Sequence, residues 1–555
     1  MIMIRTKGIV ALVSIGVLVG PMATPTPAAS AAVETEYSVL AAEGVTTSAA
    51  VRAIERARGR VVSDNPAVGL YRVVASDGFA DRAALADELV GASPRTPIGW
   101  APTRRLITSP GFMSARPGTG TSKPDVTGPR LDPLDARLWG LTMVRADLAR
   151  AVTMGDRRVS VGIIDTGVDA SNPDIRPSFD WQRSRNFASD IVEIDGPCEV
   201  AGCLDPVGTD DSGHGTHVAG IVGAAADGSG LSGVAPGVSI VELKAGQDSA
   251  YFFLEPVVDA LTYAAQAGID VVNMSFYLDP WLYNCASNPA DSSQRQAEQR
   301  VVITAMNRAL RYAHRNGVTL LASLGNQHTD LGRPGVDTRS PDYPAGGAYE
   351  RQIDNATCWS LPVEGPHVIG VGAVGPSKAK PDYANYGGEQ ISVTAPGGWL
   401  DDPTATGGHG SYGNLVLSTF PEKVLREVGL LEPDGTVKPQ ASELVLRYCT
   451  QGGDCGYAAY QAGTSMAAPY AAGVAALIVS RYGHPDPRLP GTITMDPDHV
   501  ERILTRSAAE RSCPQPRLVS YPQGPEFDAL CVGGRQFNGF YGHGIVDAFA
   551  ALSAG

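Results

Sequence analysis

Short runs of apolar, β-branched residues that alternate with helical patterns constrain the fold of this chain more than any other feature. The runs cover residues 159–164, 239–243, 269–274, 318–324, 367–374 and 391–395, and helical patterns cover 252–267, 294–315 and 466–482. Continuous apolar strands separated by helices indicate crossover units, which build a parallel sheet covered on both faces. We therefore expect an α/β fold in which a ligand binds beyond the carboxyl ends of the strands.

The beginning of the chain has the three-part form of a secretory signal. Arg5 and Lys7 precede an uninterrupted apolar run at 8–20, and a small-residue stretch with an Ala-Ser-Ala triplet at 29–31 follows. The apolar run is shorter than the roughly 20 residues that a membrane-spanning helix needs, so a membrane anchor is the weaker alternative. We expect residues 1–31 to be a cleaved signal peptide and the protein to be secreted and extracellular.

Three regions follow the predicted signal peptide. Residues 32–107 contain no cysteine and are too few for an enzyme, which indicates a small α+β domain. Residues 108–133 are dense in Pro, Gly, Ser and Thr, which is typical of a flexible linker that proteases cut. Residues 134–555 hold the alternating pattern, with loop-like insertions near 330–366 and 399–460. The elements predicted in the small domain are strands at 37–41, 60–63 and 70–75 and helices at 46–58 and 80–90.

The cysteines indicate an oxidising compartment. All eight lie beyond residue 190, and their even number is compatible with complete pairing. Eight cysteines allow 105 pairings, and pairing neighbours along the sequence is one hypothesis among them. A zinc site is the alternative, but no CxxC pair occurs. The neighbour hypothesis joins Cys198 with Cys203, Cys285 with Cys358, Cys449 with Cys455, and Cys513 with Cys531.

Composition excludes several classes of function. The hydrophobic fraction is 43%, close to the globular average, so disorder is not expected. The chain has 58 acidic and 44 basic residues, a net charge of −14, which argues against nucleic acid as a partner because phosphate binding needs clustered cations. We expect a monomer without a membrane anchor.

Three short segments contain candidate catalytic residues. Asp165 ends the first strand of the alternating pattern, His214 lies between two glycines where a helix begins, and Ser465 opens a small-residue helix. Taken singly, each has an ordinary explanation as a turn, packing or cap residue. Together they offer a nucleophile, the base that takes its proton and the acid that fixes the tautomer of the base. His217 is expected to be a packing residue, and no HExxH motif points to a zinc protease.

These segments resemble the motifs of subtilisin-like serine proteases, the subtilases. The matching strings are IIDTGVD around Asp165, GHGTHVAG around His214 and GTSMAAP around Ser465. The resemblance covers about residues 132–550. It implies a doubly wound, mostly parallel sheet flanked by helices, and it implies that residues 32–107 are an inhibitor-like propeptide.

The resemblance also implies an activity. A subtilase of this type is a secreted serine endopeptidase, made as a zymogen, that hydrolyses peptide bonds through an acyl-enzyme on Ser465. Its partners are a protein or peptide substrate and its own propeptide. The alternative is a non-catalytic binding protein with the same fold, although no catalytic position is substituted. A lipase or esterase would need a GxSxG motif, whereas Ser465 lies in GTSMA.

Further site residues follow from the resemblance. Asn326 corresponds to the side-chain donor of the oxyanion hole. Tyr277 stands where the family usually has glycine and Leu324 replaces a smaller residue, so a preference for large apolar side chains is not assumed. Gln327 replaces a frequent acidic residue, which removes a bias toward basic substrates at that wall. The residues expected to contact substrate are Ser275, Phe276, Tyr277, Leu324 and Gly325.

No cofactor is expected for catalysis, and no metal is assigned. Subtilases often bind structural calcium, but the sequence contains no EF-hand loop. Calcium is therefore an implication of the resemblance alone. The loop residues Asp205, Asp210 and Asp342 are expected to be solvated rather than bound.

Overall fold

The computed structural model describes residues 34–94 and 132–553, apart from positions 345, 404, 406 and 407. The predicted signal peptide and nearly all of the predicted linker lie outside the described residues. No helix in the described ranges is long and apolar enough to cross a bilayer.

The first described range folds as a small α+β domain. Its antiparallel sheet has the strand order β2-β3-β1-β4 and packs against α1 and α2 around its own apolar core. The helix predicted at 80–90 is shorter than expected, because residues 89–94 pair with β1 instead. The elements are β1 (Thr35–Ala41), α1 (Thr47–Arg56), β2 (Gly59–Asn65), β3 (Leu70–Ala75), α2 (Phe79–Ala83) and β4 (Leu89–Pro94).

The second range forms the large domain. Its strands are β5 (Ser160–Asp165), β6 (Arg185–Asn186), β7 (Ser239–Lys244), β8 (Val271–Met274), β9 (Asn284–Cys285), β10 (Thr319–Ser323), β11 (Val336–Asp337), β12 (Arg351–Gln352), β13 (Cys358–Trp359), β14 (Val368–Val374), β15 (Ile391–Pro396), β16 (Val416–Phe420), β17 (Val445–Cys449), β18 (Cys455–Gln461), β19 (His484–Pro485), β20 (Ile493–Thr494), β21 (Leu518–Val519) and β22 (Ala529–Leu530). Its helices are α3 (Trp139–Met143), α4 (Ala146–Ala149), α5 (Val192–Asp195), α6 (His214–Gly223), α7 (Leu254–Gln266), α8 (Ser293–Arg315), α9 (Glu422–Glu427), α10 (Thr464–Tyr482), α11 (Pro497–Ser507) and α12 (Ala548–Ala551).

A seven-stranded sheet organises the large domain. Its order is β15-β14-β10-β8-β5-β7-β6, and every pairing is parallel. Buried apolar clusters cover both faces, with α6 and α10 on one side and α7 and α8 on the other. The chain leaves β5 toward β7 and then returns to β8, so the strand order reverses between β5 and β8. The expectation of a doubly wound parallel sheet is confirmed, and this reversal marks where a ligand should bind.

The two predicted insertions differ in structure. The stretch near 330–366 contains only the two-residue strands β11, β12 and β13. The stretch near 399–460 is more regular than its loop-like sequence suggested, because β16, β18 and β17 form a three-stranded antiparallel sheet. This sheet packs against α6 and so supports the helix that carries His214.

Four disulfides confirm the neighbour pairing. The bonds are Cys198–Cys203, Cys285–Cys358, Cys449–Cys455 and Cys513–Cys531, and they leave no cysteine free in the sequence. The pair separated by 73 residues joins β9 to β13 and so fixes one end of the stretch near 330–366.

The small domain packs on helices α7 and α8 of the large domain. Leu40, Val68 and Leu70 share one buried apolar cluster with residues of both helices. Arg308 of α8 donates hydrogen bonds to the carbonyl oxygens of Ala41 and Val68, at 2.8 and 3.1 Å. The contact therefore combines apolar burial with a charged donor that bonds two carbonyl oxygens of the small domain.

Candidate active site

Asp165 and His214 are held against each other by a strand and a helix. Asp165 is the last residue of β5, so its fully buried side chain lies at the carboxyl edge of the sheet. His214 is the first residue of α6, and its Nδ1 lies 2.7 Å from Asp165 Oδ1. Gly215 permits this approach, because a Cβ there would lie 2.1 Å from the carbonyl oxygen of Gly167. The carboxylate at Nδ1 fixes the proton on that nitrogen and leaves Nε2 as an acceptor.

The pKa of His214 lies above its ordinary value. Burial alone lowers the pKa of an imidazole, but the charge of Asp165, its hydrogen bond and the nearby charge of Asp210 outweigh burial. An imidazole with a raised pKa binds a proton more readily, as a general base must.

Asp210 ties this pair to the start of α6. One carboxylate oxygen accepts hydrogen bonds from Thr166 Oγ1 and the N–H of Gly213, at 2.9 and 2.8 Å. The other accepts from the N–H and hydroxyl of Thr216, at 2.9 and 2.6 Å. Asp210 is 2% exposed, so the expectation of a solvated side chain is wrong. The amide groups at a helix N-terminus need acceptors, and this carboxylate provides them away from water.

Ser465 lies in the first turn of α10 and contacts the segment after β8. Its hydroxyl donates a hydrogen bond to the carbonyl oxygen of Ser275 at 3.2 Å, and Ser275 Oγ donates to the carbonyl oxygen of Ser465 at 3.0 Å. Asn273 Nδ2 donates to Ser275 Oγ and so orients it. Ser465, His214 and Asn326 line one cleft of about 890 Å³. The fold thus brings the segments predicted from sequence to the carboxyl ends of β5, β8 and β10.

Asn326 follows β10 and faces the start of α10. Its Oδ1 accepts hydrogen bonds from the N–H and the hydroxyl of Thr464, each at 2.9 Å. Because two donors hold Oδ1, the amide nitrogen Nδ2 is the atom of this side chain that can donate a hydrogen bond into the cleft. Gly463 has φ +156°, and a Cβ there would lie 3.3 Å from Nδ2, so glycine keeps the space beside the donor open. Gln327 Oε1 accepts a hydrogen bond from the N–H of Asn326 and so fixes the same residue.

The residues expected to contact substrate form two walls of the cleft. Ser275, Phe276 and Tyr277 follow β8, whereas Leu324 and Gly325 follow β10, and all five line the cleft. The Phe276 ring stacks on Phe252 with 4.1 Å between centroids, which extends the first wall with aromatic surface. Leu324 is buried, so it supplies apolar lining on the second wall. Their contact with substrate stays a prediction.

The stretch near 330–366 supplies a third wall, which sequence reasoning missed. Arg339 and Asp342 of this stretch line the cleft. Tyr277 Oη donates a hydrogen bond to Asp342 Oδ2 at 2.6 Å. Asp342 lies in a loop, as expected, but it is half-buried and its carboxylate accepts a hydrogen bond at the cleft. The sequence signal that could have revealed this wall was Tyr277, which stands where the family usually has glycine. A tyrosine hydroxyl inside a cleft needs a hydrogen-bond partner, and the third wall provides it.

A buried arginine anchors this third wall. Arg351, on β12, has no exposed surface and forms a bidentate ion pair with Asp291. Its Nε donates to Oδ1 at 3.0 Å and its Nη2 donates to Oδ2 at 2.9 Å. It also donates to Asp337 of β11 at 3.4 Å. Because Asp337 and Arg351 flank Asp342 in sequence, the segment that carries this carboxylate is held on both sides.

His217 is a packing residue, as expected. Its Nε2 lies 3.2 Å from the carbonyl oxygen of Val416 and 3.0 Å from that of Ala459, so it donates to the antiparallel sheet. Burial lowers the pKa of His217 to about 3, which keeps the ring neutral. It links α6 to the sheet behind it and takes no part in the cleft lining.

Two clusters of acidic residues on the loops before and after β7 have a spacing that would suit a metal ion. The first cluster is Asp190, Glu199 and Asp205, and the second is Asp205, Asp211 and Asp248. The Lys244 ammonium lies 2.8 Å from Asp248 and 3.2 Å from Asp205, and Lys423 pairs with Asp211. Burial lowers the pKa of Lys244, but the surrounding carboxylates outweigh burial and raise it, so the ammonium stays charged. Asp205 is 3% exposed, so the expectation that it is solvated is wrong. Lys244 and Lys423 already supply positive charge to the second cluster.

A family model described as the subtilase family matches residues 156–544. The chain is a member of the subtilase family. The match spans more than half of the chain and includes the segments of Asp165, His214 and Ser465. This subtilase is therefore a serine-type endopeptidase, a hydrolase of peptide bonds.

Individual relatives agree with the family. Subtilisin DY of Bacillus licheniformis is 28% identical over 344 residues, which are 62% of this subtilase and 85% of that protein. The major intracellular serine protease of Bacillus subtilis (strain 168) is 25% identical over 358 residues, 64% of this chain and 79% of that one. The two relatives thus include an enzyme described as intracellular.

A solved structure extends the likeness to the whole fold. The epidermin leader peptide processing serine protease EpiP of Staphylococcus aureus matches with a TM-score of 0.59 over 94% of this subtilase and 98% of that chain. The sequence identity is 19%, so this likeness concerns the fold alone.

Proposed function

We propose that this subtilase is secreted as a zymogen and cleaves peptide bonds through an acyl-enzyme on Ser465. The observation that carries the proposal is the 2.7 Å contact between His214 Nδ1 and Asp165 Oδ1, beside a cleft lined by Ser465 and Asn326. None of these four positions is substituted, which disfavours a non-catalytic binding protein.

The proposed reaction begins at the hydroxyl of Ser465. In the proposed reaction, the hydroxyl exchanges its hydrogen bond to the carbonyl oxygen of Ser275 for one to Nε2 of His214. Oγ attacks the peptide carbonyl carbon while His214 takes the proton, and Asp165 stabilises the resulting imidazolium. Asn326 Nδ2 and the N–H of Ser465 stabilise the oxyanion. His214 then protonates the leaving amine, and water hydrolyses the ester.

The position of the small domain supports a zymogen. Ser93 and Pro94, at the end of β4, line a cavity of about 470 Å³. Asp279 and Pro341 line both this cavity and the cleft, so the two spaces adjoin. In the proposal, residues 32–107 inhibit the enzyme until the chain is cut. Four disulfides suit an oxidising compartment and so favour secretion.

A fluorophosphonate probe tests the catalytic proposal. We expect it to label the matured wild-type protein and the matured Ser480→Ala variant, but not Ser465→Ala. Ser480 is a matched control because its hydroxyl lies on the same helix α10 but outside the cleft lining, where it donates a hydrogen bond to the carbonyl oxygen of Ala476 and accepts one from the backbone N–H of Asp156. Equal labelling of wild type and Ser465→Ala would refute the proposal.

N-terminal sequencing tests the zymogen. The secreted wild-type protein is expected to begin between residues 107 and 134, and Ser465→Ala is expected to keep residues 32–107. Identical N-termini in both proteins would show that maturation is not autocatalytic.

A further inference from the structure

We propose that His314, His367 and Asp498 together bind a divalent transition metal ion of the zinc type. The three side chains come from separate parts of the chain. His314 belongs to the last turn of α8, His367 directly precedes β14, and Asp498 belongs to the first turn of α11. Their ligand atoms, one from each side chain, all lie within 4.8 Å of one another. The inference does not depend on the proposed function, because none of the three residues lines the cleft.

The donor atoms of this group favour zinc over calcium. Two imidazoles and a carboxylate are ligands that zinc takes in four-coordinate sites, where water can fill the fourth position. Calcium instead takes six to eight oxygen ligands. Three groups with metal-ligand spacing occur among the described residues, and the other two consist of carboxylates alone. The donor set therefore distinguishes this group from both acidic clusters beside β7.

His314 and Asp498 already have nearly the separation that a shared ion requires. Nε2 of His314 lies 2.9 Å from Oδ1 of Asp498. Two ligand atoms at about 2.0–2.1 Å from a tetrahedral zinc ion lie roughly 3.3 Å from each other. A small opening of the pair therefore admits the ion. The metal then replaces the proton on Nε2, and that proton moves to Nδ1 or to solvent.

His367 supplies the third ligand. Its ring is stacked on that of His314, with 3.8 Å between centroids and an interplanar angle of 11°. The backbone of His367 has φ +62°, in the left-handed region that histidine enters more often than most residues. Parallel rings direct their nitrogen lone pairs side by side, so the His367 ring must tilt out of the stack to share an ion. His367 is exposed, so this rotation breaks no buried packing.

The surrounding charges favour a cation at this position. His314 lies at the C-terminal end of α8, where the helix dipole attracts positive charge. Glu501 follows Asp498 by three residues on α11 and interacts electrostatically with Asp498 and His314, so it adds a second carboxylate. Arg311 and Arg315 oppose a cation, but both are exposed and solvent screens their charges.

The three ligands are carried by packed elements of the large domain. Ala309 and Leu310 of α8 are buried in the cluster on one face of the sheet, and Val500 and Leu504 of α11 are buried in the cluster on the other. The ion would therefore join helices from opposite faces. Because His367 precedes β14, the ion lies at the amino ends of the parallel strands, whereas the predicted catalytic residues lie at their carboxyl ends.

Cobalt(II) is the probe for the site, because it replaces zinc in four-coordinate sites and then gives visible absorption bands that the hydrated ion largely lacks. The full exported chain is titrated as the Ser465→Ala variant, which avoids autolysis. We expect one equivalent of cobalt to produce the bands and one equivalent of zinc to remove them. An excess of calcium is expected to leave the bands unchanged. Zinc at about 100 times its Kd is expected to raise Tm by about 3 °C.

Substitutions in the same Ser465→Ala background assign the ligands. His314→Gln and His367→Asn are expected to lose the bands, and asparagine suits the left-handed backbone at position 367. Asp498→Asn is expected to weaken cobalt binding by more than the roughly tenfold that loss of an outer-shell partner costs. His499→Gln is the matched control, because it removes an exposed histidine beside Asp498 that is outside the group. We expect it to bind cobalt like the parent protein.

Three results would overturn the inference. They are the absence of the bands in the parent protein, their persistence in His367→Asn, and their removal by calcium. Circular dichroism spectra of the metal-free variants are expected to match that of the parent, because the substituted side chains are exposed or half-buried. None of these measurements uses the nucleophile, so their outcome leaves the proposed function untouched.

Discussion

Both hydrogen-bond donors of Thr464, its backbone N–H and its hydroxyl, converge on Oδ1 of Asn326 at 2.9 Å. The pair joins the end of β10 to the start of α10, so the orientation of the Asn326 amide is set before any substrate binds. A donor held in this way stabilises developing charge without reorganisation during the reaction.

Asn326→Ala is expected to lower kcat by about 100- to 1000-fold with little change in KM, the range known for the loss of such a donor in a subtilase. Thr464→Val removes the hydroxyl but keeps the N–H, so a smaller loss is expected. Steady-state kinetics on one peptide substrate measure both. An unchanged kcat in Asn326→Ala would contradict the assignment.

Asp165→Asn is expected to lower kcat by roughly 10⁴-fold, because an amide cannot fix the tautomer of His214 or stabilise its cation. Asp169→Asn is a suitable control. Asp169 follows the same strand, but its Oδ1 accepts hydrogen bonds from Ser171 rather than from His214. Similar losses in the two variants would point to folding rather than catalysis.

The raised pKa of His214 predicts the acid side of the pH profile. Below its pKa the imidazole is protonated and cannot accept the hydroxyl proton, so kcat/KM falls as pH decreases. We expect the midpoint of this fall to lie above 6.5, the ordinary value for histidine. Initial rates on one peptide substrate without titratable side chains, between pH 5 and 9, measure it. A midpoint well below 6.5 would contradict the effect of Asp165.

His217 predicts a loss of stability in acid. Its pKa is about 3 in the folded protein and near 6.5 when unfolded, so the unfolded state binds more protons in between. Its contribution is complete above pH 6.5 and is lost as pH falls toward 3. Between pH 7.5 and pH 5, wild type is expected to lose about 2 kcal/mol more free energy of unfolding than His217→Gln. Denaturant unfolding at both pH values checks this, and parallel pH dependences would exclude it.

Arg308→Ala is expected to weaken the contact between the small domain and α8, because the guanidinium reaches the carbonyl oxygens of Ala41 and Val68. Hydrogen bonds from a charged donor of this kind correspond to roughly tenfold or more in affinity. In the proposed zymogen this appears as earlier release of activity during maturation. Time courses of substrate cleavage beside Arg311→Ala, an exposed arginine of the same helix, measure the difference.

Periodicity predicted the parts of the fold that depend on local pattern. The strand at 70–75 has the bounds expected from its apolar alternation, and the strand predicted at 239–243 ends one residue later. The helix predicted at 80–90 failed because β1 offered an unpaired edge to residues 89–94. A distant pairing of that kind leaves no trace in local spacing.

The site residues also divide into those that a local motif predicts and those whose position depends on distant contacts. Asp165, His214 and Ser465 stand in short motifs, so the sequence alone singled them out. Asp342 stands in no motif, and its place depends on a hydrogen bond to Tyr277 across 65 positions. Asp210 was misjudged because a carboxylate that satisfies a helix N-terminus has the same sequence context as one in a solvated loop.

The third wall also bears on how this enzyme could diversify. Its flanks, Asp337 and Arg351, belong to a buried ion network and a strand pair. Between them, the residues that line the cleft are Arg339, Ser340, Pro341, Asp342, Gly346 and Ala348. Mutations of these lining residues change the surface that the cleft presents to a substrate, while Asp337 and Arg351 keep their contacts with the domain. Among close homologues that differ in cleavage preference, we therefore expect the sequence differences to concentrate between Asp337 and Arg351. The segment can change substrate specificity while the rest of the fold stays the same.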